Sequence, residues 1–319
     1  LFMTKKNLIL LYGVVFSMML SLSSCSSDDS SSSEDIPLTA DIFQSVVGKK
    51  VAFQGLTNNA ASWTWDFGDG TTSSEKNPVH VYSEGGYYVA KLTATSSDGS
   101  SVSTEVNLAV DLTPYILLTG GPTATNGKTW RLANAHSPGD YFANADAGLT
   151  PFDGAPYPLP GGILGAGLGL GEVYQDEYTF HFDGSYSMDL KDGAAFSGLV
   201  YQFLTTGGQG IKNPSSDQDF GLCTGYYTPE PDATFTYEES TDLTVSSVYA
   251  PPTFALTFSG VSTLSFSGTM FLGLLDYERK VMIQEIKDNT MKVVMFISAS
   301  PDYAPLNTNA LVLTFEAVK

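Results

Sequence analysis

The pattern that most restricts this chain is a strict two-residue alternation on both sides of an Asp-Gly pair: Tyr178-Thr-Phe180-His-Phe182-Asp183-Gly184-Ser-Tyr186-Ser-Met188. Residues two apart share one face of a strand, and Asp-Gly accepts the positive φ of a tight reversal, so the stretch predicts a hairpin with its aromatic rings on one side. Further strand-like runs lie at 253–258, 263–271, 280–286, 291–298 and 311–318, and in the last of them Leu311, Leu313, Phe315 and Ala317 fall on one face. No long segment repeats its apolar residues every three to four positions, so no helix is predicted. With 117–121 and Lys128-Thr129-Trp130-Arg131-Leu132 at its start, the region 115–319 reads as about ten antiparallel strands in a jelly-roll-type β-sandwich. Trp130 lies in a strand-like run and is expected in the core.

Upstream, β-type runs at 50–54, 62–67, 87–95 and 103–110 are separated by turn clusters, as in a small sandwich. Tyr88, Ala90, Leu92 and Ala94 alternate with more polar neighbours and form one buried face. The run Trp65-Asp66-Phe67-Gly68-Asp69-Gly70 is followed by Asn77-Pro78, His80, Tyr82 and Gly86-x-Tyr88. Trp65 fills a core, Asp69-Gly70 makes a turn in which glycine takes positive φ, and Asp66 accepts from local amides. His80 invites a catalytic reading, but in a pattern of this kind it is expected to support the turn before Tyr82. On these residues, 38–111 closely resembles the PKD (polycystic kidney disease) domain, an immunoglobulin-like sandwich. The resemblance implies a spacer or a modest adhesion module. The expected fold class is thus all-β, a PKD sandwich followed by a larger β-sandwich.

Ahead of both units, Lys5 and Lys6 precede an apolar run at 8–20, and Leu22-Ser23-Ser24-Cys25 follows. Residues 1–24 read as a secretory signal, since the apolar run is shorter than the roughly 20 residues a spanning helix needs. Leu-Ser-Ser-Cys resembles the lipobox of bacterial lipoproteins, which implies that Cys25 carries the lipid of an outer-membrane anchor. Several acyl chains hold stably where one is marginal. Residues 25–37 are a serine-rich acidic tether with nothing to bury, expected to be disordered. Acidic residues directly behind the lipid cysteine resemble the signal that sends Bacteroidota lipoproteins to the cell surface.

Charge narrows the partners. The chain has 15 basic and 34 acidic residues, and removing Lys5 and Lys6 with the signal takes the net charge from −19 to −21. That field repels phosphate backbones, which excludes nucleic acid as a partner. Of two cysteines, lipidation takes Cys25 and leaves Cys223 unpaired within the chain.

Catalytic patterns are incomplete. A laminarinase-like jelly roll needs Glu-x-Asp-x-x-Glu; the nearest match, Glu230-Pro-Asp232-Ala-Thr-Phe235, ends in a residue that cannot donate a proton. Gly165-Ala-Gly167-Leu-Gly169-Leu-Gly171 lacks the strand-helix frame of a dinucleotide loop and reads as a flexible surface loop. His80, His136 and His181 are dispersed, with no Gly-x-Ser-x-Gly beside them. Asp140, Asp146 and Asp153 share one loop, and oxygen ligands suit calcium, yet their spacing matches no calcium loop. No cofactor is therefore assigned, with calcium left open.

Sugar rings present C–H faces to aromatic rings and hydroxyls to amides and carboxylates, so aromatic residues in loops are the candidates for a binding surface. Tyr226 and Tyr227, beside Cys223 and Pro229 in a turn-rich segment, come first; Tyr141 and Tyr157 come next, with Phe142 and Tyr303 behind them. The order Thr-Gly-Gly, Lys128-Thr-Trp130, Tyr174-x-Asp176-Glu177-Tyr178-Thr-Phe180 and a glycine-led segment at 273–286 is similar to the C-terminal module of PKD-bearing surface glycan-binding lipoproteins. Such relatives often carry paired tryptophans between the second and third motifs, where this chain has Gly, Pro and Leu at 148–171. The resemblance implies non-catalytic capture of a polysaccharide or oligosaccharide, of neutral type, beside a TonB-dependent transporter. An alternative is a structural or adhesive surface protein that contacts protein or matrix; a divergent glycoside hydrolase ranks last.

Overall fold

The structure, a computed structural model, describes residues 37–216 and 221–319. The signal, Cys25 and the tether to residue 36 lie outside the described residues. The first sandwich comprises β1 (Thr39–Val47), β2 (Lys50–Asn58), β3 (Ser62–Asp66), β4 (Thr72–Ser73), β5 (Val79–Val81), β6 (Gly86–Thr95) and β7 (Ser101–Val110). Two sheets, β1-β2-β5 and β4-β3-β6-β7, face each other. As predicted, Tyr88, Ala90, Leu92 and Ala94 of β6 are buried. Trp65 is fully buried, packs 5.1 Å from Phe53 and donates its indole N–H to the carbonyl of Glu75. Asp66 accepts from the amide of Gly68 and Asp69 from that of Thr71, while the Tyr82 hydroxyl donates to the carbonyl of Phe67. Gly68 is obligatory here: φ is +79°, and a Cβ would stand 2.5 Å from the carbonyl oxygen of Val89.

The second unit opens with α1 (Pro114–Thr119), capped by Thr113 and ended by Gly120 in the left-handed region. Its strands are β8 (Lys128–Leu132), β9 (Tyr141–Asn144), β10 (Glu177–Phe180), β11 (Tyr186–Asp189), β12 (Ala194–Gly198), β13 (Ile211–Pro214), β14 (Leu222–Tyr226), β15 (Phe235–Ser246), β16 (Ala255–Phe266), β17 (Val281–Ile286), β18 (Thr290–Ile297) and β19 (Asn309–Ala317). The main sheet runs β11-β10-β8-β19-β18-β17-β16-β15, with β9 added on β19; β12-β14-β13 form a small separate sheet. The predicted hairpin is present, pairing Tyr178 with Met188 and Phe180 with Tyr186.

The main sheet curls until its edges touch. Ser185 bridges Thr234, the amide of Tyr186 donates to Ala233 and that of Phe235 to Gly184. Inside lie Trp130, Tyr178, Phe180, Tyr186, Val293, Leu313 and Phe315. On the other face, Val245, Met282, Val294, Phe296 and Val312 make a second core with Ala143. β18 and β19 are therefore buried on both faces, which is why their sequences are almost continuously apolar.

Four readings need correction. First, helices do form in the second unit: α1, which takes in part of the 117–121 run, and α2 (Leu199–Thr206), which begins after extended Gly198, ends at left-handed Gly207 and buries Gln202, whose amide donates to Ser197 Oγ at 3.0 Å. Second, the runs at 253–258 and 263–271 are largely one strand, β16, paired with the unforeseen β15. The register slips twice in that pairing, between Glu238 and Leu243, and the slips erase the alternation. Third, 165–171 is packed structure in place of a flexible loop. A π turn (Ile163–Gly167) and a 3-10 turn (Gly171–Tyr174) bury Leu164, Leu168 and Leu170. Fourth, the first sandwich starts with a strand, β1, that the sequence reading omitted.

Candidate functional site

Tyr226 closes β14, the central strand of the small sheet, and is 62% exposed. The strand places it opposite Ala194 of β12, and its amide donates to the carbonyl of Gly210. Thr224, two residues earlier and on the same face, donates to Glu172 Oε1 at 3.1 Å, and Asn213 of β13 donates to the same oxygen at 3.2 Å. Lys212 donates to the carboxylate of Asp192, and that bond, helped by the fields of Glu172 and Tyr226, holds its ammonium above the ordinary lysine range. The small sheet thus carries an exposed ring on β14 and, on its β13 strand, Lys212 and Asn213 paired with Asp192 and Glu172, an amine, an amide and two carboxylates of the kinds that sugar hydroxyls bond to.

The other predicted residues are placed differently. Tyr226 belongs to a strand, not to the turn-rich segment expected. Tyr227 turns inward: its ring meets Phe271 edge-on at 5.1 Å, and its hydroxyl lies 3.1 Å from Thr269 Oγ1. Tyr141 is a strand residue of β9 paired with Val312 of β19, and Phe142 beside it is buried. Tyr157 is 61% exposed and meets Tyr141 edge-on at 5.2 Å, so these two form one surface pair. Tyr303 is exposed in a loop, facing a groove that it shares with Tyr249. Tyr249 was missed, although Val248-Tyr249-Ala250-Pro251-Pro252 is an aromatic in a proline-rich turn, the same signal that marked Tyr226.

The three aspartates do not share one loop, since β9 separates Asp140 from Asp146 and Asp153, and the first two are occupied by the protein's own donors. Asp140 is buried and accepts from Ser137, Thr314 Oγ1 and the Thr314 amide, with His136 Nδ1 at 3.1 Å. Burial pushes its carboxyl up, but the bonds from His136, Ser137 and Thr314 outweigh it and bring the pKa down to about 2. Asp146 accepts from the amides of Gly148 and Thr150. Among the described residues, no three acidic, histidine or cysteine side chains are grouped to hold a metal ion. Burial lifts Asp176 to about 8 and Asp276 to about 7, values that suit proton transfer, yet both side chains are closed to solvent. Glu230 is committed to the amide and hydroxyl of Thr269.

The profile of the PKD domain matches residues 43–110, the stretch that holds Trp65, Asp69, His80 and Tyr82. This segment is a PKD domain. The chain is 37% identical over 77 residues to collagenase ColA of Bacillus cereus, a match that takes in 23% of this chain and 8% of the collagenase. The first PKD domain of the Vibrio cholerae metalloprotease PrtV is 33% identical, is covered in full and spans 24% of this chain, with a TM-score of 0.23. A structure described under the promiscuous specificity of carbohydrate-binding modules of the β-sandwich superfamily covers 88% of this chain and 92% of its own, at 12% identity and a TM-score of 0.23. A score that low speaks for neither fold nor ligand.

Proposed function

We propose that the chain is a lipid-anchored cell-surface protein that captures polysaccharide without cleaving it. Cys25 carries the anchor in the outer membrane, 25–37 is the tether, the PKD domain of 38–111 is the spacer, and 115–319 is the binding sandwich. The ligand is a neutral glycan, passed on to a transporter of the TonB-dependent class. The observation that supports this reading most is Tyr226, an exposed ring on the small sheet that also carries the Lys212–Asp192 and Asn213–Glu172 pairs. Stacking and hydrogen bonds at such a place orient a pyranose, while the raised carboxyls stay out of its reach.

A second reading has one observation in its favour. The outer face of the β1-β2-β5 sheet exposes Phe43, Val47, Leu56, Val79 and Val81, an apolar patch that suits adhesion to protein or matrix. Affinity gels decide between the two. Tyr226→Ala should lose retention on neutral β-glucan, by about tenfold in affinity, with an unchanged melting temperature. Unchanged retention rejects the site, and reducing sugar released by the wild type would establish a glycosidase instead. Cys25→Ser should abolish incorporation of labelled palmitate; continued labelling refutes the anchor.

A further inference from the structure

A groove of about 450 Å³ lies between Tyr249 and Tyr303, with Phe152 in its wall. It is built from other loops than those around Tyr226: the turn after β15 and the segment that joins β18 to β19. Its size falls within the roughly 300–1,000 Å³ of small-molecule sites. Tyr249 is 48% and Tyr303 55% exposed, so each offers ring surface to the groove.

The walls are fixed before any ligand arrives. The Tyr249 hydroxyl donates to Asn144 Oδ1 at 3.1 Å and its amide to Ser247 Oγ at 3.1 Å. Ser247 is fully buried and donates in turn to the carbonyl of Ala145. The amide of Val248 donates to Asn307, whose side chain donates to Ser246, so the two loops are tied to each other. Across the groove, the amide of Leu306 closes a turn on the Tyr303 carbonyl at 2.8 Å. The Tyr249 ring and the backbone that carries Tyr303, held this way, lose little freedom on binding.

The polar groups left over are specific. Thr308 Oγ1 accepts from the amide of Ala299, so its O–H still has a proton to give. Asn309 donates to the carbonyl of Ala143, which leaves its Oδ1 as an acceptor. The Ser300 hydroxyl can do either. In a chain with 34 acidic and 15 basic residues, no charged side chain among the described residues lines this groove. An anionic ligand would find no counter-ion in the lining, whereas vicinal hydroxyls on a pyranose ring match donors and acceptors set beside two aromatic rings.

We propose that the Tyr249–Tyr303 groove is a second binding site, for an uncharged pyranose unit of an oligosaccharide. The inference shares the ligand class of the Tyr226 reading but stands on separate residues, so the two can fail separately. Two sites on one sandwich would let a single polysaccharide chain be held twice, with the gain in avidity set by effective concentration.

Calorimetric titration tests this on the whole chain with cellohexaose, laminarihexaose, maltohexaose and mannohexaose as neutral probes and trigalacturonate as the charged one. At least one neutral probe should bind, and Tyr303→Ala and Tyr249→Ala should each weaken it about tenfold while Tyr226→Ala leaves that event in place. Ser300→Ala, at a side chain with no hydrogen bond among the described residues, should weaken it too and serves where a tyrosine variant misfolds. No binding of any neutral probe, unchanged isotherms in all three groove variants, or preference for trigalacturonate would overturn the site. Loss in Tyr226→Ala alone would keep the first site and remove this one; loss in the groove variants alone would do the reverse.

Discussion

His80 Nε2 lies 2.7 Å from Asp69 Oδ2, and the imidazole lies flat on Phe67, its centroid 4.2 Å from that of the ring. The histidine that a catalytic reading would single out is a brace for the Asp-Gly turn of the PKD domain. Burial raises the Asp69 carboxyl, but hydrogen bonds from Thr71 and His80 outweigh it and leave the group below its ordinary value. A carboxyl lowered on folding contributes stability that is present above its unfolded value, about 3.9, and is lost as pH falls through the folded value. His80→Ala should therefore destabilise the PKD domain by roughly 1–3 kcal/mol at pH 7. Asp69→Asn should flatten the acid limb of the urea-denaturation midpoint below pH 4, and an unchanged limb would refute the assignment.

The PKD domain and the curled sandwich have separate cores yet share a seam. The Tyr87 hydroxyl donates to Asp288 Oδ1 and Thr123 donates to the Tyr87 carbonyl, while within the sandwich Lys128 donates to the carbonyls of Leu117 and Asp288 and holds the Asp288 turn in place. A Cβ on Gly85 would stand 2.3 Å from the Asp111 carbonyl oxygen and 2.7 Å from Ile116, so the seam has no room for one. Gly85→Val should cost about 1–3 kcal/mol by overpacking and split the calorimetric unfolding into two resolved transitions. A single unsplit transition at the wild-type temperature would show that the seam carries no coupling.

Legibility followed burial. β6 and the 178–188 hairpin were readable because one face is buried and the other is not, so alternation survives in the sequence. β15 was not, because Glu238, Glu239, Ser240, Thr241 and Asp242 straddle its bulges and break the period. α2 was hidden by its length, eight residues, and by the aromatic and β-branched residues it holds. Glycines at 165, 167 and 169 suggested mobility, yet they let Gly165 and Gly171 approach so closely that the leucines between them are buried. Exposure of Tyr226 and inward packing of Tyr227 could not be told apart from composition, since consecutive residues face opposite ways and only the register of β14 decides which is outside.

Asp276 presents the sharpest electrostatic test in the sandwich. Its carboxyl is fully buried; Oδ1 accepts from the amides of Tyr277 at 2.7 Å and Ser298 at 3.3 Å, while Oδ2 has no hydrogen-bond partner among the described residues. Oδ2 fills the position a Cβ would take on Gly198, 1.8 Å from it, so the contact needs glycine there. Burial, only partly offset by those two bonds, pushes the group up to about 7. A carboxyl raised on folding favours the native state fully below its unfolded value and loses that advantage as pH rises to the folded value, here from about 4 to about 7. Each unit of separation is worth about 1.4 kcal/mol, so stability should decline across that window and level off above it. Asp276→Asn removes the proton equilibrium while keeping shape and the two acceptor bonds. Urea midpoints at pH 4.5, 6 and 8 should then show a shallower decline for the variant and a net gain over wild type at pH 8. Equal slopes in the two proteins would mean that Asp276 is not the group that titrates.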